Sequence, residues 1–165
     1  AGARAGANWP DGDLQATAEA FEQALTRLTL LEQRLFASQL DRCDLTPAQY
    51  HALAYMSCQP QACSMGCLAD QLHQSSAATT GLVDRLVRRS LAERRADSGD
   101  RRRVMVRITE SGVGLVARAR ALRRQRTLHL LSSLDHDDRL RLCKLLQGYV
   151  DQVADALGDA EKTAP

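Results

Sequence analysis

Apolar residues recur at helical spacing at both ends of the chain. Within residues 13–45 they fall at near-heptad intervals, at Leu14, Ala18, Phe21, Leu25, Leu28 and Leu35. A second stripe near the C-terminus consists of Leu142, Leu146, Val150, Val153 and Leu157. These spacings predict long amphipathic helices. A stripe of this length needs a partner surface, either the protein's own core or a second subunit.

Shorter helices are predicted between these two ends. The stretch "LTPAQYHALAYM" has Thr46 as a helix N-cap, Pro47 at the first helical position and Gln49 as the reciprocal partner of a capping box. Two further helices are joined by the polar turn "HQSS", and the second begins at Ser75 or Ser76 and ends near Arg89. The residues predicted to face inward are Leu68, Ala69 and Leu72, then Leu82, Val83, Leu86 and Val87. This arrangement is typical of a helix-turn-helix unit.

The pattern changes to alternation after residue 90. "LAERR" predicts a strand, "ADSGD" predicts a turn, and Val104, Val106 and Ile108 predict a second strand with one buried face. Thr109 then caps a long helix that reaches about Ser132. A hairpin directly after a helix-turn-helix unit is a wing. The predicted order is therefore α-α-α-α-β-β-α-α, a mainly helical fold with a small β-hairpin wing.

The net charge of +2 is unevenly distributed along the chain. Residues 1–74 have a net charge of −4, residues 75–126 have fourteen arginines against five acids for +9, and residues 127–165 have −3. A basic segment between acidic flanks indicates a polyanion as partner. Arginine accounts for 20 of the 22 basic residues, and its planar guanidinium suits phosphates and guanine edges.

The remaining composition excludes several classes of protein. No apolar run approaches the ~20 residues of a membrane span, and the N-terminus lacks the apolar core of a signal peptide. We therefore expect a cytoplasmic protein without a membrane partner. Five cysteines are too few for a disulfide scaffold. The sequence contains no nucleophile elbow, phosphate-binding loop or dinucleotide fingerprint, so we expect neither an enzyme nor a cofactor.

Three stretches resemble the MarR family of bacterial transcriptional regulators. "TGLVDRLVRRSLAERR" is similar to that family's recognition helix and first wing strand, "DRRRVMVRITESG" to its wing and the following helix start, and "LTPAQYHAL" to the opening of its second helix. The resemblance spans about residues 14–157. It implies an obligate homodimer, joined through the N- and C-terminal helices, that binds a palindromic DNA operator.

The resemblance also implies a set of DNA-binding residues. These are Ser75, Ser76, Ala78, Thr79 and Thr80 at the exposed start of the recognition helix, Arg85 further along it, and Arg101, Arg102 and Arg103 in the wing. Asp100 would brace the wing, and Arg102 would enter the minor groove. Gly81 stands where several members have a large polar residue, which shifts specificity towards the wing and DNA shape.

Two regulatory hypotheses follow. His51 lies where family members often form an effector pocket, and small aromatic or phenolic acids are the ligand class that the resemblance implies. Cys58, Cys63 and Cys67 fall within ten residues. They are packing residues, a redox pair that includes Cys67, or a thiolate metal site, although the spacing lacks the paired C-x2-C of a typical zinc site.

The sequence thus predicts a single domain with four parts. Residues 1–12 form a flexible arm, residues 13–45 an N-terminal dimerisation helix, residues 46–109 the DNA-binding winged helix-turn-helix region, and residues 110–160 the C-terminal dimerisation helices. We expect a DNA-binding repressor that is released by a ligand or by oxidation. The alternative is a winged-helix module that binds proteins without sequence-specific DNA binding, and a basic wing favours the first.

Overall fold

The computed structural model describes residues 13–96 and 103–163, with side chains as far as residue 158. The chain divides into two compact units, residues 1–120 and residues 121–165. The described elements are, in order, α1 (Leu14–Asp41), α2 (Pro47–Cys58), β1 (Cys63–Ser64), α3 (Met65–Gln71), α4 (Ser76–Arg88), β2 (Ala92–Ala96), β3 (Val104–Ile108), α5 (Glu110–Leu131) and α6 (His136–Thr163). The predicted 1–12 arm lies outside the described residues.

The helix starts follow the predicted capping chemistry. The Thr46 hydroxyl accepts from the Gln49 backbone N–H at 3.3 Å, and the Gln49 side chain accepts from the Thr46 N–H at 2.9 Å. This capping box satisfies two amide groups that have no partner within the helix. Asp13 caps α1 and Ser64 caps α3 in the same general way. The predicted start of α2 is therefore confirmed.

Helices α1, α3 and α4 are each followed by the same kind of turn. Each turn contains a residue with positive φ, namely Asp44 at 52°, His73 at 50° and Ser90 at 57°. In α4 the Leu91 N–H donates to the Leu86 carbonyl at 2.9 Å, and Gln74 donates to Ala69 in the same way after α3. These bonds satisfy the last carbonyls of each helix. His73 thus forms the turn of the helix-turn-helix unit.

The core of the first unit lies beneath α2, α3 and α4. Its largest fully buried side chains are Leu40, Leu53, Leu68, Leu82, Val83, Leu86, Val106, Val116 and Thr79. Burying one such leucine contributes about 1.5–3 kcal/mol relative to leaving it in water. Leu72 and Val87 are half-buried rather than fully inward. The core therefore fixes α4 through one face and leaves its other face in solvent.

The sheet contains a strand that the sequence did not predict. β1 pairs antiparallel with β3, with Cys63 opposite Val106, and β2 pairs with the other edge of β3, so the strand order is β1-β3-β2. The predicted order of elements was therefore incomplete, since a strand interrupts the connection between α2 and α3. Its two residues are too few to show alternation.

The apolar stripe of α1 lies largely in solvent. Leu14, Phe21, Leu28 and Leu35 are each more than two-fifths exposed, and Leu40 is the buried residue of this helix. Large exposed apolar surface on a helix indicates an interaction site.

Within the second unit, α6 has the same character. Its exposed large apolar residues are Leu140, Leu142, Leu145, Leu146, Tyr149, Val150, Val153 and Leu157. None of the described side chains of α6 is buried. Within its unit, this helix therefore also presents uncovered apolar surface.

Candidate nucleic-acid interface

The start of α4 is held by Ser75. Its side-chain oxygen accepts from the Ala78 N–H at 3.2 Å, as predicted for an N-cap. The Thr79 N–H donates to the Ser75 carbonyl at 3.0 Å, which is the first helical bond. The cap stabilises the N-terminal end of α4, where the first turn is exposed to solvent.

The first turns of α4 present small side chains to solvent. Ser75, Ser76, Ala78 and Thr80 are all exposed, as predicted. The Thr80 hydroxyl donates to the Ser76 carbonyl at 2.8 Å. Its single proton is therefore used within the helix, and Thr80 offers to a partner its methyl group and the lone pairs of its oxygen.

Thr79 was wrongly assigned to this exposed surface. Its side chain is fully buried, and its Oγ1 atom has no hydrogen-bond partner. Thr79 precedes Leu82 by three residues and Val83 by four, so helical geometry turns it towards the core. Thr79 therefore packs in the core, and its predicted exposure is wrong.

Thr79→Val should stabilise the fold without changing the exposed face of α4. The substitution replaces a buried hydroxyl that lacks a partner by a methyl group of similar size, and we expect a gain of about 1 kcal/mol in the free energy of unfolding. Chemical denaturation at fixed protein concentration measures it. The matched control is Thr80→Val, which should leave stability within about 0.5 kcal/mol because the site is exposed. A loss of stability in Thr79→Val would show that its hydroxyl has a partner.

Arginines follow the small residues along α4. Arg85 is exposed, and its Nη1 atom lies 3.7 Å from where a Cβ atom on Gly81 would be. Gly81 therefore leaves room for the guanidinium to lie back along the helix. Arg88, one turn further, is also exposed. The sequence interpretation omitted Arg88, although its spacing of three residues from Arg85 places both on neighbouring positions of the helix surface.

The wing is formed by β2 and β3. Their register runs from Ala92 opposite Ile108 to Ala96 opposite Val104. Val106 is fully buried and Ile108 half-buried, but Val104 is 45% exposed, so the predicted buried face of β3 does not extend to Val104. Arg103 is exposed beside it. The predicted contacts Asp100, Arg101 and Arg102 lie outside the described residues.

Ion pairs join α4 to its surroundings at two points. Asp84 on α4 lies 2.7 Å from Arg94 on β2, with both side chains partly exposed. Arg89, just after α4, lies 2.9 Å from the Asp44 carboxylate in the α1–α2 loop and also donates to the Asp44 backbone carbonyl. Exposed pairs of this kind contribute little stability, typically about 0–1 kcal/mol. They connect α4 to the wing and to the α1–α2 loop.

The connection between α4 and β2, residues 89–91, is called the hinge here and forms hydrogen bonds with the start of α5. The Thr109 hydroxyl donates to the Ser90 carbonyl at 2.7 Å, and its N–H donates to the Leu91 carbonyl at 3.1 Å. The same hydroxyl oxygen accepts from the Gly112 N–H at 3.1 Å. A Cβ atom on Gly112 would lie 2.3 Å from the Leu91 carbonyl oxygen. Glycine at this position therefore permits the close approach of α5 to the hinge.

A second group of side chains surrounds His51. Its ring stacks on Phe36, with centroids 5.8 Å apart, and meets Tyr50 edge-on at the same distance. Arg120 of α5 donates to the Ser57 hydroxyl at 3.4 Å, and hydrogen bonds to Tyr50 and Cys58 raise the pKa of Arg120 above its ordinary value. His51 itself is exposed. Two of these rings, Tyr50 and His51, thus lie on α2 together with the partners of the guanidinium, and Phe36 meets them from α1. The sequence pattern does not distinguish Arg120 from the other arginines of its helix.

The three neighbouring cysteines differ in their surroundings. Cys58 is exposed at the end of α2, Cys63 is buried in β1, and Cys67 is exposed in the first turn of α3. Among the described residues, no three or more His, Cys, Asp or Glu side chains form a group that could hold a metal ion. All three cysteines are described, and the structure does not bring them together as the thiolate metal site would require. Within residues 13–96 and 103–163, no helix is long and apolar enough to span a membrane.

The central segment of the chain is similar to known proteins in sequence. A sequence profile described as the MarR family matches residues 44–103, which run from the α1–α2 loop to the start of β3. The HTH-type transcriptional repressor NicR of Pseudomonas putida is 37% identical over 71 residues. That match covers 43% of this chain and 45% of the repressor. The chain therefore spans less than half of the length of this curated relative.

Solved structures share the fold over most of the chain. A mutant of MarR from E. coli is 25% identical, with a TM-score of 0.67, and the match covers 78% of this chain and 95% of that one. A mutant of MepR from S. aureus bound to an oligodeoxyribonucleotide is 21% identical, also with a TM-score of 0.67, over 81% of this chain and 97% of its own. The profile match and the homologous repressor show that the central segment is similar to the MarR family, and the solved structures show a shared winged helix-turn-helix fold over about four-fifths of the chain.

Proposed function

We propose that this chain is a homodimeric transcriptional repressor that binds a palindromic DNA operator. The observation that carries the proposal is the exposed face of α4, where Ser76, Ala78 and Thr80 are followed by Arg85 and Arg88. Short side chains allow a helix to approach base edges in the major groove, and arginines supply contacts to guanine or phosphate. NicR is named a repressor, and the MepR mutant binds an oligodeoxyribonucleotide.

The wing supplies the second contact of the proposed interface. Arg103 is exposed immediately before β3, and the resemblance assigns Arg102 to the minor groove and Arg101 to phosphate. A narrow minor groove concentrates negative potential and attracts inserted arginines. The Asp84–Arg94 pair links this hairpin to α4, so both DNA contacts would move as one element. Asp100 is proposed to brace the wing.

The exposed apolar faces of α1 and α6 support the proposed dimer. Leu28, Leu31 and Leu35 on α1 are each more than two-fifths exposed, as are Leu146 and Val150 on α6. Single apolar residues on a surface need no explanation, but continuous stripes indicate an interface. A two-fold symmetric dimer would present two α4 helices to successive major grooves, which matches a palindrome.

An aromatic acid is the proposed effector. Arg120 offers a guanidinium for a carboxylate, and Phe36, Tyr50 and His51 offer aromatic surface within the same unit. Arg120 hydrogen-bonds to Ser57 near the end of α2, and the α2–α3 connection begins directly after that end. A carboxylate that attracts Arg120 would weaken this bond. Regulation would then act through the position of α2 relative to the helix-turn-helix unit.

Dimerisation and DNA binding can be tested in one set of sedimentation experiments. At micromolar concentration the free protein should sediment as a dimer, and in the presence of a short duplex as one dimer per duplex. Raising the salt concentration should weaken binding with a log–log slope of about −0.9 for each phosphate contacted. A stable monomer, or an affinity that does not depend on salt, would contradict the proposal. Failure to bind any duplex would favour the alternative, a winged-helix module that binds proteins.

A further inference from the structure

Gly81 lies in the middle of α4, where a glycine lowers the stability of the helix. Apart from the backbone of α4 and the two adjacent residues, one described atom lies within 4 Å of the position that a Cβ would take. It is Arg85 Nη1, at 3.7 Å, which is ordinary van der Waals contact. Gly112 differs, since a Cβ there would lie 2.3 Å from a backbone oxygen. Close packing therefore does not require glycine at position 81.

The Arg85 side chain reaches back towards the N-terminal end of α4. Its Nη1 atom lies beside Gly81, although the two residues are four positions apart, which is about one turn of helix. Long side chains in a helix point in this direction, onto the turn that precedes their own Cα atom. A long side chain at position 81 would cover the same part of the helix surface. Gly81 therefore leaves a space that the Arg85 guanidinium fills.

The Arg85 guanidinium can bind a partner outside the chain. Arg85 is exposed, and among the described residues it forms no ion pair. The carboxylate of the adjacent Asp84 lies 2.7 Å from Arg94 instead. A cation in the last turn of a helix can complement the helix dipole, but the Arg85 guanidinium lies about one turn away from that end. Its N–H donors suit two acceptors in one plane, such as O6 and N7 of guanine.

We propose that Gly81 is a positioning residue for base recognition, which lets Arg85 read a guanine nearer to the N-terminal end of α4. The inference rests on the proposed function. Recognition helices contact base edges with their N-terminal residues, whereas Arg85 is in the last turn of α4. The absence of a side chain at position 81 brings the guanidinium back and lets the helix backbone approach the bases. Base recognition at this turn is thus retained by Arg85.

Thermal unfolding tests whether the fold requires Gly81. Gly81→Ala should raise Tm by about 2–4 °C, because alanine is the better helix former and its Cβ has room. Gly114→Ala is the matched control, since a Cβ there meets nothing within 4 Å, and it should raise Tm by a similar amount. Both are compared with wild type at one protein concentration. A lower Tm for Gly81→Ala would show that folding requires the glycine and would overturn the inference.

The recognition test measures guanine preference on the duplex that the wild type selects. Each guanine of the half-site is replaced by adenine in turn, and the ratio of the two affinities is measured at one salt concentration. At one position Arg85→Ala should reduce a wild-type ratio of roughly 5- to 150-fold to about one. Gly81→Met should lose the ratio at the same position, because its side chain fills the space of the guanidinium. The double variant should lose no more than either single variant, and Gly114→Ala should keep the ratio.

Arg85→Lys separates base recognition from charge. Lysine keeps the positive charge but lacks the planar pair of donors, so the salt slope on unrelated DNA should match wild type while the guanine preference is lost. A preference that survives in Arg85→Lys or in Gly81→Met would overturn the inference, as would losses that add in the double variant. These outcomes leave the proposed function intact, whereas a wild type that binds no duplex overturns the proposed function as well.

Discussion

Gly112→Ala should destabilise the protein by about 3 kcal/mol, because the added methyl group overlaps with groups that cannot move away. Its Cβ would lie 2.3 Å from the Leu91 carbonyl oxygen and 2.6 Å from Ile108 Cγ1. The Leu91 oxygen is fixed, since it accepts from the Thr109 N–H at 3.1 Å. For a chain of this size the change corresponds to a fall in Tm of about 10 °C. Thermal unfolding followed by circular dichroism measures it.

Gly114→Ala is the matched control on the same helix. A Cβ atom at Gly114 would meet nothing within 4 Å. Alanine is favoured over glycine in a helix by about 0.8–1 kcal/mol, so this variant should be more stable than wild type. Both variants are compared at one protein concentration, since a dimer's Tm depends on it. Equal stability of Gly112→Ala and wild type would show that α5 does not approach the hinge as described.

Arg85→Ala should weaken operator binding by about 1–3 kcal/mol, or roughly 5- to 150-fold, without affecting the fold. Arg85 is exposed on α4, and its guanidinium lies over Gly81, so it contributes no core packing. If Arg85 contacts a base, the loss should be largest on the preferred sequence. If it contacts phosphate, the loss should be similar on all sequences, with a salt slope shallower by about one. Fluorescence anisotropy at several salt concentrations separates these cases.

Arg42→Ala is the matched control for this measurement. Arg42 is an exposed arginine at the end of α1, next to the loop that Arg89 binds at the C-terminal end of α4. Removing it eliminates one positive charge away from the first turns of α4. We expect its effect on binding to be less than a quarter of that of Arg85→Ala, on the order of the screened interaction of a distant charge. Equal losses in the two variants would contradict the assignment of α4 as the recognition helix.

Local chemistry made the helix boundaries predictable from the sequence. Thr46 and Gln49 lie three residues apart and form their capping box without help from distant residues. Ser75 likewise caps α4 through a bond to Ala78. Such signals depend on the backbone of one turn, so a short stretch of sequence contains all the partners.

The burial of Thr79 is predictable from helical periodicity alone. Its spacing from Leu82, Val83 and Leu86 places it on the buried face of α4. The resemblance to a family placed it with its exposed neighbours instead. Helical periodicity, applied to each residue of the recognition helix, would have separated Thr79 from Thr80.

Other features depend on partners that are distant in sequence. β1 exists because Cys63 pairs with Val106, 43 residues later. Arg120 reaches Ser57 across 63 residues, and Gly112 meets the carbonyl of Leu91. A two-residue strand and a single long-range contact leave no periodic pattern, so the sequence alone did not indicate them. The wing residues Asp100, Arg101 and Arg102 remain predictions from the resemblance.

Selection from a library of randomised DNA duplexes tests the central claim most directly. The chain is incubated with the library at near-physiological salt, and bound duplexes are recovered and sequenced over successive rounds. We predict enrichment of a palindrome whose half-sites are centred about 10 base pairs apart, or one turn of DNA, because a two-fold dimer places its two α4 helices in successive major grooves. Recovery of unrelated sequences, or of a single half-site without symmetry, would contradict the account.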